Sequence, residues 1–355
     1  MASPTRLLIA ASGTGGHLFP AIALAQQLPD YKIEWLGTAN RLETKLVPDD
    51  YPLNTIAVEG FQQKLSLKSL KIISGFLTSI FQTRKLIKEH QIDAVFTTGG
   101  YIAAPAILAA RLQNKPAIIH ESNYIPGKVT RFLSGWCDAV ALGFAGTAQY
   151  LPKVETVYVS TPVRSQFLTP QPLGLDIPDD AIIIVVVGGS QGAVAVNKLV
   201  REAAPAWLDL GAYIVHLTGK NDPDLDSLKH PNYIALPFSD NMAGLLQRAN
   251  LAISRAGAGT ITELAFTGTP AVLIPYPYAA EDHQTYNAKE FEEAGAAVVY
   301  QQSELTAQIL QKQVSQWLRS PKQLQDMADK AKAIAVTDSA ERLAELVRGL
   351  INKES

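Results

Sequence analysis

Two apolar runs set the limits on what this chain can fold into. LLIA at residues 7–10 and AIIIVVV at 181–187 each stop at a glycine-rich turn, SGTGG (12–16) and GGSQG (188–192). Each turn then leads into a helical pattern. Continuous Val/Ile/Leu runs without polar alternation suit strands covered on both faces, as in parallel sheets. A glycine turn between such a strand and a helix is the first joint of a doubly wound unit. The chain therefore begins such a unit twice.

The rest of the pattern fits that reading. Strands are predicted near 5–11, 32–37, 92–97, 116–120 and 138–142, with helices near 18–28, 41–47, 68–90, 102–113 and 126–134. After 181–187, strands are predicted near 212–217, 232–235, 250–253, 271–274 and 297–299. VSTPVR (159–164) and the Pro-rich TPQPLG (169–174) mark the junction. The expected domains are 1–161 and 162–335, with a terminal helix about 336–355 packing back on the first. The fold class is α/β, two doubly wound Rossmann-like domains facing a central cleft, where ligands bind at the carboxyl ends of the strands.

Composition narrows the function classes. A length of 355 residues suits two domains. The formal net charge of −2 argues against a nucleic-acid partner, whose phosphates call for a basic surface. The single Cys137 permits no intrachain disulfide. No apolar stretch approaches the roughly 18–20 residues of a bilayer span. The apolar start is too short for a signal peptide and is broken by glycines, so it reads as a strand. Residues 64–88 carry six basic side chains and no acid, with Leu70, Ile73, Leu77, Ile80 and Phe81 on one helical stripe. Part of that stripe is expected to pack in the core, and its basic flank suits an anionic membrane surface.

Several turns carry chemistry. The first completes neither G-x-G-x-x-G nor a P-loop, because position 18 is Leu and no Lys follows. It still offers backbone amides at a helix start, which favour an anion. His17 sits at that start, where the helix dipole lowers an imidazole's pKa and leaves it neutral, able to take a proton from a hydroxyl. TTGGY (97–101) is a second such turn. HESN (120–123) ends a strand, with Glu121 either a general base or a group that orients its neighbours. SRAGAGTITE (254–263) repeats strand, glycine turn and helix, with Glu263 one turn after Thr260. EDHQTYN (281–287) is a polar segment suited to a sugar. GGSQG satisfies G-x-S-x-G literally, which keeps a hydrolase elbow open, but Asp282-His283 are adjacent and fit a triad poorly. The D-x-D spacing of Asp222, Asp224 and Asp226 has no supporting ligands, so these residues are read as a surface loop and no metal site is expected.

Taken in order, SGTGGHLFPAIALA, TTGGY, HESN, TPVR, GGSQG, SRAGAGTITELA and EDHQTYNA resemble the bacterial peptidoglycan N-acetylglucosaminyltransferases of glycosyltransferase family 28, in the two-domain GT-B group. The resemblance spans essentially the whole chain. It implies inverting transfer from UDP-GlcNAc to undecaprenyl-linked lipid I, at the cytoplasmic face of the plasma membrane, with no cofactor. UDP-GlcNAc is a substrate, and other cell-wall synthesis proteins are expected partners. His17 would be the catalytic base. Gly13, Gly99, Gly100, Tyr101, His120 and Glu121 would meet the acceptor, while Thr14, Gly15 and Gly16 would receive its diphosphate and reach the donor. Asn123, Gln284 and Asn287 would contact the transferred sugar. Gly189, Ser190, Gln191, Gly192, Arg255, Ala258 and Thr260 would hold the donor diphosphate, with Arg164 assisting. Phe238 and Ser239 would border the uracil, and Glu263 the ribose. The sequence departs from the family at Ser12 (a usual glycine), Thr161 (a usual asparagine) and Ser122 (a frequent glutamine). A UDP-sugar epimerase, a relative with another lipid acceptor, and a non-catalytic nucleotide-sugar-binding subunit are the alternatives.

Overall fold

A computed structural model describes residues 4–58, 67–189 and 192–354. Backbone contacts divide the chain into two units: one holding the residues up to Arg164 together with Asp338 onward, the other Ser165–Thr337.

The first unit is a parallel sheet of seven strands: β1 (Arg6–Ala10), β2 (Lys32–Gly37), β3 (Leu53–Thr55), β4 (Ala94–Thr97), β5 (Ala117–Glu121), β6 (Ala139–Leu142) and β7 (Thr156–Tyr158). Its helices are α1 (Gly15–Gln26), α2 (Glu43–Leu46), α3 (Leu67–Glu89), α4 (Ala103–Arg111) and α5 (Lys128–Leu133). The strand order is β3-β2-β1-β4-β5-β6-β7. Successive side chains of a strand point to opposite faces, and the core obeys this. Leu7 and Ile9 pack with Leu18, Leu24 and the final helix on one face, while Leu8 and Ala10 pack with Ile102, Ala106 and Ile107 on the other. Strands β3 and β7 were not anticipated. Each is three residues long and lies at a sheet edge, too short to show a period.

The second unit is a six-stranded parallel sheet: β8 (Ile183–Val187), β9 (Tyr213–Leu217), β10 (Tyr233–Leu236), β11 (Leu251–Ser254), β12 (Ala271–Leu273) and β13 (Ala297–Val299), in the order β10-β9-β8-β11-β12-β13. Helices α6 (Val194–Leu208), α7 (Met242–Arg248), α8 (Ala258–Thr267), α9 (His283–Glu293), α10 (Ala307–Leu318) and α11 (Pro321–Ala333) surround it. Ile184 and Val186 pack with Val196, Val200, Leu310 and Trp317. The chain ends in α12 (Ser339–Glu354), whose Leu343, Val347 and Ile351 join the first unit's core beside α1.

In both sheets the order reverses beside the first strand, between β1 and β4 and between β8 and β11. At such a switch point the two following loops run to opposite sides and leave a crevice at the strand ends. The sequence-singled turns, Ser12–Gly16 with Thr98–Tyr101 and Gly188–Gly192 with Arg255–Gly257, are the loops at those two places.

Candidate active site

In the first unit α1 begins at Gly15, and His17 stands in its first turn. The ring is half-buried, with Nδ1 3.3 Å from Thr14 Oγ1. On the other side, Nε2 lies 3.7 Å from where a Cβ on Gly100 would be, which is van der Waals contact distance. The two glycine turns thus meet at this ring. Burial pushes the His17 pKa below its ordinary value, although the Glu121 carboxylate pulls it upward. The resulting neutral imidazole is the state a base requires. Gly99 and Gly100 both have positive φ, and the Tyr101 ring is exposed beside them.

Glu121 is nearly fully buried and its carboxylate is fully engaged. Oε1 accepts the Asn123 amide at 3.0 Å and its side-chain Nδ2 at 3.3 Å. Oε2 accepts the Gly127 amide at 2.9 Å and the Thr130 hydroxyl at 2.6 Å. Of the two roles open from sequence, this geometry has the form of the orienting one: Glu121 ties Asn123 to the start of α5. His120 is wholly buried, with Nε2 2.9 Å from the Ser160 carbonyl and Nδ1 3.3 Å from Ser122 Oγ. In this conformation its ring braces the strand end and presents no nitrogen to a ligand. Burial lowers its pKa, so it is neutral. Arg164 lies over the Phe19 ring of α1, its Cζ 4.7 Å from the centroid.

Sequence reasoning missed Glu43, which opens α2 and is fully buried. Its Oε1 accepts the Ser12 hydroxyl at 2.6 Å and the Thr38 amide at 2.7 Å, and Oε2 accepts the Gly13 amide at 3.2 Å. Burial would raise this carboxyl, but the hydrogen bonds together hold it below the usual range. Gly13 needs its φ of +104°, which L side chains avoid. The Gly13 amide is thus spent within the protein.

In the second unit Gly192 has φ +76°, and a Cβ there would come within 2.5 Å of the Thr218 carbonyl oxygen. Only glycine lets this loop lie against the end of β9. Ser190 and Gln191 fall outside the described residues, and Gly189 is exposed. A buried network that the sequence reading missed secures the same corner. Asn197 Nδ2 donates to the Thr218 carbonyl at 2.8 Å and to Asp222 Oδ2 at 2.5 Å, while His216 Nε2 is 3.0 Å from Asn197 Oδ1. His216 Nδ1 is 2.8 Å from the Tyr233 hydroxyl, and Arg201 donates to Asp222. Burial first, then the Arg201 charge, lower the His216 pKa to about 3 against the pull of Asp222. Asp222 is therefore no solvated loop residue, as expected from sequence, but a buried brace. The available signal was a histidine interrupting the apolar run YIVHL at 213–217.

Helix α8 starts after Gly257, with Ala258 buried and Thr260 and Glu263 half-buried. Arg255, expected at the donor diphosphate, is turned inward: Nη1 donates to the Ile274 and Pro275 carbonyls at 3.1 and 3.0 Å, and Nη2 to Gln302 Oε1 at 2.6 Å. Gln284 Oε1 accepts the Ala256 and Tyr276 amides at 3.2 and 2.9 Å, which leaves its NH₂ as the end able to face a ligand. Asn287 is buried and donates to the Ala256 carbonyl at 3.2 Å. Just before α9, Glu281 and Asp282 adopt φ +52° and +56°. Two successive left-handed non-glycine residues are costly, and such strain clusters at functional sites. Phe238 is exposed with Lys220 Nζ 5.9 Å from its ring centroid, and Ser239 Oγ accepts the Asn241 amide at 3.1 Å.

Comparison with known proteins agrees with this architecture. The glycosyltransferase family 28 N-terminal domain matches residues 7–142 and the family's C-terminal domain matches 183–343. A protein of Gloeothece citriformis, named UDP-N-acetylglucosamine–N-acetylmuramyl-(pentapeptide) pyrophosphoryl-undecaprenol N-acetylglucosamine transferase, is 70% identical over 98% of this chain and 96% of its own length. A protein of the same name from Rippkaea orientalis is 67% identical over 98% of this chain and 99% of its own. The crystal structure of MurG from Acinetobacter baumannii superposes with a TM-score of 0.79 at 33% identity, covering 98% of this chain and all of that one. Two Rossmann-like sheets, each with glycine turns at its switch point, and family matches over both halves place this chain in glycosyltransferase family 28.

Proposed function

We propose that this enzyme transfers N-acetylglucosamine from UDP-GlcNAc to the 4-hydroxyl of the N-acetylmuramic acid pentapeptide of undecaprenyl-diphosphate-linked lipid I, releasing UDP and lipid II. The observation that carries the substrate pair is the 70% identity, over 98% of the chain, with a protein whose name states that transfer.

Within this reading His17 is the base. With the Nδ1 proton directed at Thr14 Oγ1, Nε2 is left as the acceptor on the side of the Gly99–Tyr101 turn. It takes the proton as the 4-hydroxyl attacks the anomeric carbon. The bond from that carbon to the diphosphate oxygen breaks, and its electron pair leaves with UDP from the opposite face. Charge grows on the departing diphosphate, where the unpaired first-turn amides of α8 and the Gly189–Gly192 loop stabilise it. The NH₂ of Gln284 and the Asn123 side chain hold the sugar, while Asn287 acts by fixing Ala256. Glu263 binds the ribose, and Phe238 and Ser239 border the uracil. The step needs no metal ion.

The same reading places the enzyme peripherally on the cytoplasmic face of the plasma membrane. Among the described residues no helix is long and apolar enough to cross a membrane. On α3, Ile73, Leu77 and Phe81 are 42%, 50% and 63% exposed, one above another at four-residue spacing, with Arg84, Lys85 and Lys88 following. Ile80 and Ile87 supply the core contacts instead. Leu70 of the predicted stripe and Lys64, Lys68 and Lys71 of the basic set lie outside the described side chains. An exposed apolar row with a basic flank suits insertion among anionic headgroups.

The test is UDP release followed with and without a lipid I analogue. Acceptor-dependent release with a disaccharide product supports the proposal. Conversion of UDP-GlcNAc without acceptor would instead mark an epimerase, and binding without release a non-catalytic subunit.

A further inference from the structure

The Gly13 turn has a charged partner that no motif announced. Asn40 takes a left-handed φ of +62°, turning the chain between β2 and α2. The next residue, Arg41, is exposed, and its Nη1 lies 3.8 Å from where a Cβ on Gly13 would be. Among the described residues its guanidinium has no carboxylate or other side-chain partner. Two residues on, the buried Glu43 grips Ser12, Gly13 and Thr38 and so ties the Arg41 segment to the glycine turn. The Ser12 hydroxyl supplies the shortest of those three bonds.

This arrangement changes which groups of the turn can meet an anion. The Gly13 amide is taken by Glu43, and those of His17 and Leu18 by the Thr14 carbonyl at 3.0 and 3.1 Å. The amides of Gly15 and Gly16 are left without helical partners by their place in the first turn. A guanidinium at Gly13, in the turn that leads to those two amides, suits a phosphate oxygen, because its planar fork delivers charge-assisted hydrogen bonds.

We propose that Arg41 is a binding residue for the diphosphate of the lipid-linked acceptor, and that Glu43 is a positioning residue holding the turn and Arg41 in register. The inference rests on the reading that the acceptor seats at this turn. Losing a charge-assisted contact should cost about 10–100-fold in affinity. Arg41→Ala should therefore raise the KM for a lipid I analogue by about that factor, while the KM for UDP-GlcNAc stays within about twofold. Because Arg41 is exposed and unpaired, the thermal midpoint should not move. Arg41→Lys should recover part of the loss, since charge returns without the fork. Glu43→Gln should raise the same acceptor KM and lower the thermal midpoint. An unchanged acceptor KM in Arg41→Ala, or donor and acceptor KM rising together, would overturn the proposal. A wild-type chain that releases no UDP with the acceptor would instead sink the functional reading beneath it.

Discussion

Replacing Glu121 with glutamine separates a brace from a base. Both carboxylate oxygens are occupied, one by Asn123 and the other by Gly127 and Thr130. Turned toward Asn123, its NH₂ faces two N–H donors; turned toward Thr130, it faces the Gly127 amide and a hydroxyl that can rotate to accept. At least one hydrogen bond to a charged group is lost, which costs about 1.5–3 kcal/mol. For a unit of this size each kcal/mol corresponds to about 2–4 °C, which predicts a fall of about 3–12 °C in the first unit's transition. Calorimetry would read that shift, and amide hydrogen exchange at Asn123 and Gly127 would localise it. Steady-state kinetics at a temperature where the variant is folded would complete the comparison. A midpoint within about 1 °C of wild type, with turnover down by the factor of about 10²–10⁴ typical of a lost base, would refute the reasoning and make Glu121 the proton acceptor.

His17→Ala should lower kcat by about 10²–10⁴-fold with both substrates saturating and leave the thermal midpoint nearly unchanged. Because burial lowers the His17 pKa, the acidic limb of wild-type kcat/KM should fall below pH 6.5, the ordinary histidine value; a limb above it would contradict the assignment. His216 has a folded pKa of about 3 against 6.5 unfolded, so its neutral form stabilises the fold above pH 6.5 and that contribution drains away as pH drops toward 3. Unfolding free energies from urea titrations should fall by up to about 1.4 kcal/mol per pH unit through this window, and the imidazole NMR shift of His216 should stay flat down to about pH 4.5. On α3, Leu77→Glu with Phe81→Glu should abolish co-sedimentation with vesicles containing anionic lipid, while UDP release with a water-soluble acceptor persists; retained vesicle binding would place the membrane contact elsewhere.

Much of the fold was legible because its signals are local. An apolar run such as IIVVV at 183–187 needs cover on both faces wherever it lies, and a glycine turn followed by a helical pattern states what comes next. The edge strands β3 and β7 were invisible because three residues show no period. Arg255 illustrates a second limit: its place in a glycine turn pointed to a diphosphate, yet three hydrogen bonds turn it into the protein. Type and position along the chain do not say which way a long side chain points.

By itself the sequence determined two parallel sheets, the glycine turns at their first strands, and the presence of an imidazole at one of them. Those properties follow from backbone sterics and side-chain periodicity within a few residues. Only the tertiary structure decided which groups are free to act. Glu43 reaches the Gly13 amide across thirty residues of sequence. His216 loses its basicity to burial and to the Arg201 charge on α6, against the pull of Asp222. Hydrogen bonds and desolvation depend on distance in space, and distance in space is what the folded chain supplies.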